Sequence, residues 1–358
     1  MKSKLVKIGI VGLGRWAKVL TQAAQRSTKF SIVAGYSRSE EKRQSFQKEF
    51  GIPSVPDMET MLADPEIQGV ILTVPNEQHL PVADQVARAG KQVYTEKPIA
   101  NTLESGLAIE ALQEHYGVQV MVGHSARLLK GVRMMRAAMD SGELGRVVFM
   151  EANFSNERAL EITPDTWRWY RDKAPGGPLS QLAIHQFDTL HFLGGEIDSV
   201  SSIASKLSPV GAEVDDQSMT TLRFADGKLG YVGSSWTSPG IFCVRVFGQK
   251  GLMHYELDFS TWDTPDRLHE TSLLYIQRGK DGFGKREVLE LPAGNMFLDE
   301  LDMFADVCAT GEPAELNAKS GNIALAAVNA ALRSIAQNGQ LISLESVLEE
   351  SRERLAVA

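Results

Sequence analysis

The feature that most constrains this chain is a glycine turn set between an apolar run and a helical segment. Leu5–Val11 is short and apolar, and Gly12-Leu13-Gly14-Arg15-Trp16-Ala17 follows it directly. Helical content then runs from Trp16 to Arg26. The hexapeptide fits G-x-G-x-x-G/A in the context that gives that pattern meaning, after a strand and at the opening of a helix. Gly12 permits the tight turn, Gly14 lets the backbone approach a pyrophosphate, and Ala17 permits close helix–strand packing. The helix N-terminus then offers free N–H groups and partial positive charge to phosphates. The alternative is a glycine-rich turn without a ligand.

The segments after it alternate. Ser31–Gly35 is apolar, and Ser39–Phe50 reads as a helix capped by Ser39, with Glu40 and Glu41 in its first turn and Gly51 as its stop. Strands Gly69–Val74, Gln92–Thr95 and Val118–Val122 then alternate with helices Gln78–Ala89 and Thr102–Tyr116. The last helix carries a capping-box pair, Asn101 with Glu104, and Gly117 as terminator. Such alternation, with strands that are continuous apolar runs, predicts a parallel, doubly wound Rossmann sheet.

From about residue 124 the character changes. A helix at Leu128–Met139 precedes alternation from Arg146 to Phe154, which puts Val147, Phe149, Glu151 and Asn153 on one face. A loop rich in Trp, Arg, Pro and Gly spans Glu157–Pro178, and a helix spans Leu179–Leu193. Six strand-like runs follow: Val200–Ser205, Ser218–Phe224, Lys228–Ser235, Phe242–Gly248, Gly251–Leu257 and Ser272–Arg278. Helices return at Leu298–Thr310 and Gly321–Gln337. The expected architecture is α/β: a Rossmann domain over 1–123, and an α+β domain over 124–358 with a large, mostly antiparallel sheet covered on one face.

Composition narrows the function classes. Among 358 residues, 37 Lys and Arg stand against 45 Asp and Glu, a net charge of −8, which argues against a nucleic-acid surface. No run of 18 apolar residues exists, so no membrane span is expected. The start of the chain lacks a signal-peptide pattern. Cys243 and Cys308 stand alone without metal-ligand spacing. They suit a reducing compartment, and the cytoplasm is the expected location.

The end of the second strand bears on the cofactor. A carboxylate about 20 residues beyond the glycine turn would bind both ribose hydroxyls of NAD. The stretch here is Gly35-Tyr36-Ser37-Arg38-Ser39. Ser37 can hydrogen-bond a 2′-phosphate, and Arg38 can pair with it and stack on adenine. This predicts NADP(H), with NAD possible. The alternative is that Ser-Arg merely starts the next helix.

Two candidate catalytic groups follow. Lys97, in Glu96-Lys97-Pro98, sits at the carboxyl end of a strand, where ligands of open α/β sheets bind. An ammonium there can polarise a carbonyl or stabilise an alkoxide; the alternative is a surface lysine. Gly176-Gly177-Pro178 precedes Gln181, His185 and Asp188, spaced to share one helix face. The alternative is a half-buried polar stripe. His191 continues the series, but hydride transfer needs no metal, and none is expected.

Together these residues resemble the Gfo/Idh/MocA family, the glucose-fructose oxidoreductase and inositol dehydrogenase group. The resemblance rests on Val11 to Trp16, on Thr73-Val74-Pro75-Asn76-Glu77-Gln78-His79, on Glu96-Lys97-Pro98, and on Gly176-Gly177 through His185 and Asp188. It implies an NAD(P)-dependent oxidoreductase acting on a hydroxyl or ketone of a sugar, cyclic polyol or related small molecule. Homodimers or homotetramers would form through the open sheet. Lys97 and His185 would be catalytic, and Asp188 would contact substrate hydroxyls. From position rather than resemblance, Gln181 would hold His185, and Arg127 after the fifth strand's end, Asn153, and Trp167 and Arg168 on the loop before the Gly-Gly turn would line the rest of the substrate pocket. Gly12, Leu13, Gly14, Arg15, Trp16, Ser37, Arg38, Val74, Pro75, Asn76, His79, Glu96 and Lys97 would hold the cofactor.

One departure matters. Many dehydrogenases of that family carry Asp four residues before the histidine, and this chain has Gln181. Glutamine can orient the imidazole but supplies no charge, making His185 a weaker base and a better acid. That favours ketone reduction. Two other functions compete: a non-catalytic NADP-binding sensor or co-regulator of the same fold, and a glycosidase that uses its cofactor transiently.

Overall fold

In the computed structural model, which describes residues 5–258, 261, 264–279 and 285–357, the first apolar runs become five parallel strands. They are β1 (Val6–Val11), β2 (Phe30–Tyr36), β3 (Ile67–Leu72), β4 (Gln92–Glu96) and β5 (Val120–Gly123). Their order is β2-β1-β3-β4-β5, with every neighbouring pair parallel. The order reverses between β1 and β3, and such a switch point opens a crevice at the carboxyl ends of the strands. Gly12 leaves β1 there, and Thr73 leaves β3.

The helix Glu40–Phe50 is built as expected: Ser39 accepts from the Lys42 N–H at 3.3 Å, and Gly51 closes it in the left-handed region. The helix Leu103–Tyr116 starts one residue later than the capping-box reading implied. Thr102, not Asn101, has the extended backbone of an N-cap, and its hydroxyl accepts from the Ser105 N–H at 3.2 Å. A six-residue helix, Met58–Ala63, capped by Asp57, was not foreseen; it is too short to show a period.

The chain divides into two compact units: Met1–Ser125 with Phe297–Asn322 and Arg354–Ala358, and Ala126–Met296 with Ile323–Glu353. The first break lies two residues beyond the expected 123. The two later segments, expected in the C-terminal domain, instead complete the first unit. Their side chains explain this. A Cβ on Gly69 of β3 would stand 2.4 Å from the Cys308 sulfur and 2.8 Å from the Phe304 ring. Phe304 also meets the Tyr94 ring edge-on at 5.7 Å. The helix Met296–Thr310 therefore covers the parallel sheet. The Val122 N–H donates to the Leu316 carbonyl at 2.8 Å, and Asn322 Nδ2 donates to Glu110 at 2.6 Å.

The second unit is built on nine strands: β6 (Val147–Ser155), β7 (Ile197–Ser205), β8 (Gln217–Phe224), β9 (Leu229–Ser235), β10 (Ile241–Gly248), β11 (Gly251–Leu257), β12 (Leu273–Arg278), β13 (Glu287–Val288) and β14 (Ile342–Ser343). Their order is β13-β12-β11-β10-β6-β9-β8-β7-β14; only β6 and β9 pair in parallel. The period-two pattern read from β6 is present. Met150, Ala152 and Phe154 are buried, while Phe149, Glu151 and Asn153 are half-buried on the other face. The buried face carries helices; Gly131 of helix Lys130–Asp140 rests on Tyr255, whose ring a Cβ would meet at 2.2 Å. The opposite face exposes Ile203, Met219 and Leu229. Among the described residues, no helix is long and apolar enough to cross a membrane.

Candidate functional site

The residues singled out in the sequence fall into two groups, one in each unit. In the first, Gly12 has φ +94°, and a Cβ there would stand 2.8 Å from the Thr73 carbonyl. Its N–H donates to the Tyr36 carbonyl at 2.8 Å, and the Thr73 hydroxyl donates to the Gly12 carbonyl. Glycine is thus required for both conformation and space. Gly14 differs: it is the N-cap of helix Arg15–Ala24, makes no side-chain cap bond, and a Cβ on it would have open space around it. That is the cradle a pyrophosphate needs above a helix N-terminus. Ala17 is fully buried.

Ser37 and Arg38 follow β2, half-buried and exposed respectively. Arg43, from the next helix, donates to the Ser37 carbonyl at 2.6 Å and to the Arg38 carbonyl at 3.3 Å. Arg43 was not foreseen. Its only signal was a basic residue one turn beyond the Ser39 cap, the commonest of surface features.

Beyond β3, Val74, Pro75 and Asn76 lead into helix His79–Arg88. His79 is fully buried, with Nε2 3.1 Å from the Val74 carbonyl and Nδ1 3.1 Å from that of Pro98 and 3.2 Å from that of Ile99. The ring therefore pins the segment after β3 to the segment after β4. Burial lowers its pKa, against the raising effect of those carbonyls. Lys97 is half-buried at the end of β4, and the Lys97–Pro98 peptide is cis. Its neighbour Glu96 points into the core. The Tyr94 hydroxyl donates to Glu96 Oε1 at 3.1 Å, and the Lys97 N–H donates to Oε2 at 3.3 Å. Burial pushes the Glu96 pKa up to about 7, while the Trp16 indole, the Lys97 charge and Tyr94 pull it down.

In the second unit, the expected single helix is two pieces. Leu179–Ala183 is π-helical and Ile184–Gly194 is α-helical. The wider turn rotates Gln181 away from the α-helical register with His185 and Asp188 that the spacing implied; π-turns of this kind often mark functional sites. Gln181 is buried, with Nε2 3.4 Å from the Ser180 hydroxyl. Gly177 has φ +53°, and a Cβ there would strike the Asp215 carbonyl at 2.1 Å, so the sharp entry depends on glycine. His185 is half-buried, its ring 5.5 Å from that of Phe154. Asp188 is sealed from solvent and paired in bidentate fashion with Arg127.

Asn153 lies apart from His185. The Asn153 side chain packs against Gly233, on the face of β6 opposite Phe154 and the His185 helix; only its backbone carbonyl, which accepts from Gln186 at 3.1 Å, reaches that helix. The alternation that placed Asn153 with Glu151 was right, and the consequence for the pocket reverses. Trp167 and Arg168 share a short turn, with the guanidinium 4.1 Å above the indole and Trp167 largely exposed. His191 Nδ1 contacts the Gly195 carbonyl at 3.0 Å. Among the described residues, no group of three His, Cys, Asp or Glu is placed to hold a metal ion.

Comparison with known proteins agrees with this geometry. Residues 6–124 match the model of an oxidoreductase family with an NAD-binding Rossmann fold, GFO/IDH/MocA, and residues 132–254 match the GFO/IDH/MocA C-terminal domain. A crystal structure from Desulfitobacterium hafniense, provisionally described as an NADPH-dependent oxidoreductase, is 36% identical. It superposes with a TM-score of 0.93, over 96% of this chain and 99% of that one. The chain belongs to the GFO/IDH/MocA family. Among curated GFO/IDH/MocA relatives, 1,5-anhydro-D-fructose reductase of Ensifer adhaerens is 29% identical over 299 residues, 77% of this chain and 89% of that protein. Inositol 2-dehydrogenase of Rhizobium meliloti is 25% identical over 350 residues, 94% of this chain and 98% of that one. This GFO/IDH/MocA member is an NAD(P)-binding oxidoreductase acting on CH–OH groups. The open cradle at Gly14 fits the nucleotide's pyrophosphate.

Proposed function

We propose that the protein is an NADP(H)-preferring oxidoreductase that interconverts a hydroxyl and a ketone on a sugar, cyclic polyol or related small molecule. The observation that carries the nucleotide preference is the end of β2. No carboxylate stands at 37–39, and Arg43 holds the Ser37 and Arg38 carbonyls, fixing a serine and an arginine where a 2′-phosphate would be bound. The substrate class follows the relatives named for anhydrofructose and inositol.

Gly12, Gly14 and the first turn of helix Arg15–Ala24 would hold the pyrophosphate, and Ser37 with Arg38 the adenosine phosphate. Leu13, Arg15, Trp16, Val74, Pro75 and Asn76 would line the remainder, with His79 fixing the last three from behind. A bound nicotinamide would supply the hydride donor or acceptor for the reacting carbon. Lys97 stabilises negative charge on the oxygen of that carbon. His185 would serve as the proton donor during reduction and the proton acceptor during oxidation. Gln181, where many relatives of this family carry Asp, supplies no negative charge, which favours the donating role. Trp167 offers an indole face to the apolar side of a sugar ring, and Arg168 a cation beside it. Asp188, paired with Arg127, would hold in place the helix that carries His185.

The copies would associate through the sheet face that exposes Ile203 and Met219, and two free thiols, Cys243 and Cys308, suit the reducing cytoplasm.

Titration with NADPH and NADH, followed by a panel of ketoses, anhydro-sugars and polyols read at the nicotinamide absorbance, tests this. Tighter NADPH binding and stoichiometric oxidation support it. Equal affinity for both nucleotides removes the NADP assignment. Glycoside cleavage without net oxidation of nucleotide removes the redox assignment.

A further inference from the structure

Tyr94, Glu96 and Glu300 form a buried group for which the proposed reaction has no use. Tyr94 is fully buried, and Glu96, two residues on, shares its face of β4. Glu300, from helix Met296–Thr310, is 1% exposed. The Tyr94 hydroxyl is 3.1 Å from Glu96 Oε1 and also bonds the Glu300 carboxyl. Gly123 of β5 makes the room: a Cβ there would stand 2.5 Å from the Tyr94 oxygen and 3.1 Å from Glu96 Oε1.

Counting protons shows what this arrangement requires. A phenol carries one proton and can donate it to one carboxylate only; its bond to a second carboxyl must be donated from that side. Two ionised carboxylates here would set acceptor against acceptor and bury two like charges together.

We propose that Tyr94, Glu96 and Glu300 share one extra proton at neutral pH, and that Tyr94 and Glu300 act as positioning residues for Lys97 by fixing Glu96, whose carboxyl accepts the Lys97 N–H. The trio then carries one negative charge beside one ammonium. The charged or polar groups acting on Glu96 are Tyr94 from β4, the Trp16 indole from the helix after the glycine turn, and Lys97 itself; Glu300, from the covering helix, acts on Tyr94. Burial is the largest cause of the upward shifts of both Glu96 and Tyr94, and the Glu300 and Glu96 carboxylates add to that of Tyr94. The positioning role rests on the assignment of Lys97 to the reaction; the shared proton does not.

Difference infrared spectroscopy of the nucleotide-free protein tests the proton. A carboxylic-acid carbonyl band that disappears as pH rises through about 7 is expected in the wild type. It should be absent in Glu96→Gln, and in Glu300→Gln it should disappear about one pH unit lower or more, because the amide donates to the phenol without a titrating proton. No such band near neutrality in the wild type overturns the shared proton, whatever Lys97 does. The pH profile of kcat/KM tests the positioning. Its inflection should move with the band in Glu300→Gln and in Tyr94→Phe, and return toward the wild-type value in Glu300→Asp. An unmoved inflection in both variants overturns the positioning role.

Discussion

Arg127 Nε donates to one carboxylate oxygen of Asp188 at 2.8 Å and Nη2 donates to the other, and solvent reaches neither side chain appreciably. The guanidinium also lies 5.5 Å above the Phe192 ring. The family resemblance implied that Asp188 contacts a substrate hydroxyl; here its charge is matched by an arginine 61 residues earlier in the chain. Removing one member of such a pair strands the other in low dielectric. Arg127→Met or Asp188→Asn should therefore cost about 3–5 kcal/mol of unfolding free energy, while the double replacement Arg127→Met/Asp188→Leu should recover most of it. Urea denaturation of the four proteins measures this. An Asp188→Asn variant with a raised KM and an unchanged midpoint would mean that Asp188 serves substrate alone.

The two motif glycines should fail differently. Gly12→Ala places a side chain at φ +94° and 2.8 Å from the Thr73 backbone, so the ligand-free protein should lose about 1–3 kcal/mol. Gly14→Ala meets nothing in the protein, so its melting temperature should hold while nucleotide Kd rises about tenfold or more. Calorimetry without nucleotide, paired with a binding titration, separates the two. Equal destabilisation in both variants would contradict the open cradle.

At the end of β2, Arg38→Ala should weaken NADPH binding by about tenfold to a hundredfold, the value of a charge-assisted hydrogen bond, and leave NADH unchanged. Arg43→Ala should do the same more weakly, because Arg43 acts on the Ser37 and Arg38 carbonyls. Fluorescence titration with both nucleotides gives the ratio. A parallel loss for both nucleotides would assign Arg38 to the shared part of the cofactor.

His79 gives a pH prediction. Burial holds its folded pKa below the ordinary 6.5, so the folded protein binds fewer protons than the unfolded chain as pH falls past that value. Stability from this group is present above about pH 6.5 and is lost as pH falls toward the depressed value. Glu96, raised from 4.5 to about 7, has the opposite slope between those values. The comparison that isolates the histidine is wild type against His79→Gln. Its stability gap should narrow from about pH 8 to about pH 5.5, by up to about 1.4 kcal/mol per unit. A constant gap would show that His79 does not titrate differently on folding.

Much of this was legible in the sequence where the signal is local. The glycine turn, the Ser39 cap and the alternation in β6 each depend on neighbours within one or two turns, and each is present. What escaped depends on partners far along the chain. Phe304 and Cys308 belong with β3 because Gly69 leaves space for them, which no period in either segment reveals. The pairing of Arg127 with Asp188 and the exclusion of Asn153 from the His185 face depend on tertiary placement. The π-turn at 179–183 altered a helical-face argument that was sound for an α-helix. His79 was expected beside the cofactor and is instead a buried pin between the segments that would hold it.

Lys97 is assigned as the cation at the reacting oxygen. The most direct test is Lys97→Met assayed for reduction of a ketose or anhydro-sugar that the wild type accepts, with NADPH affinity measured in parallel. The expected result is a kcat lower by about a thousandfold, with NADPH Kd within about threefold of wild type. Unchanged turnover in the variant, with nucleotide still bound, would contradict it.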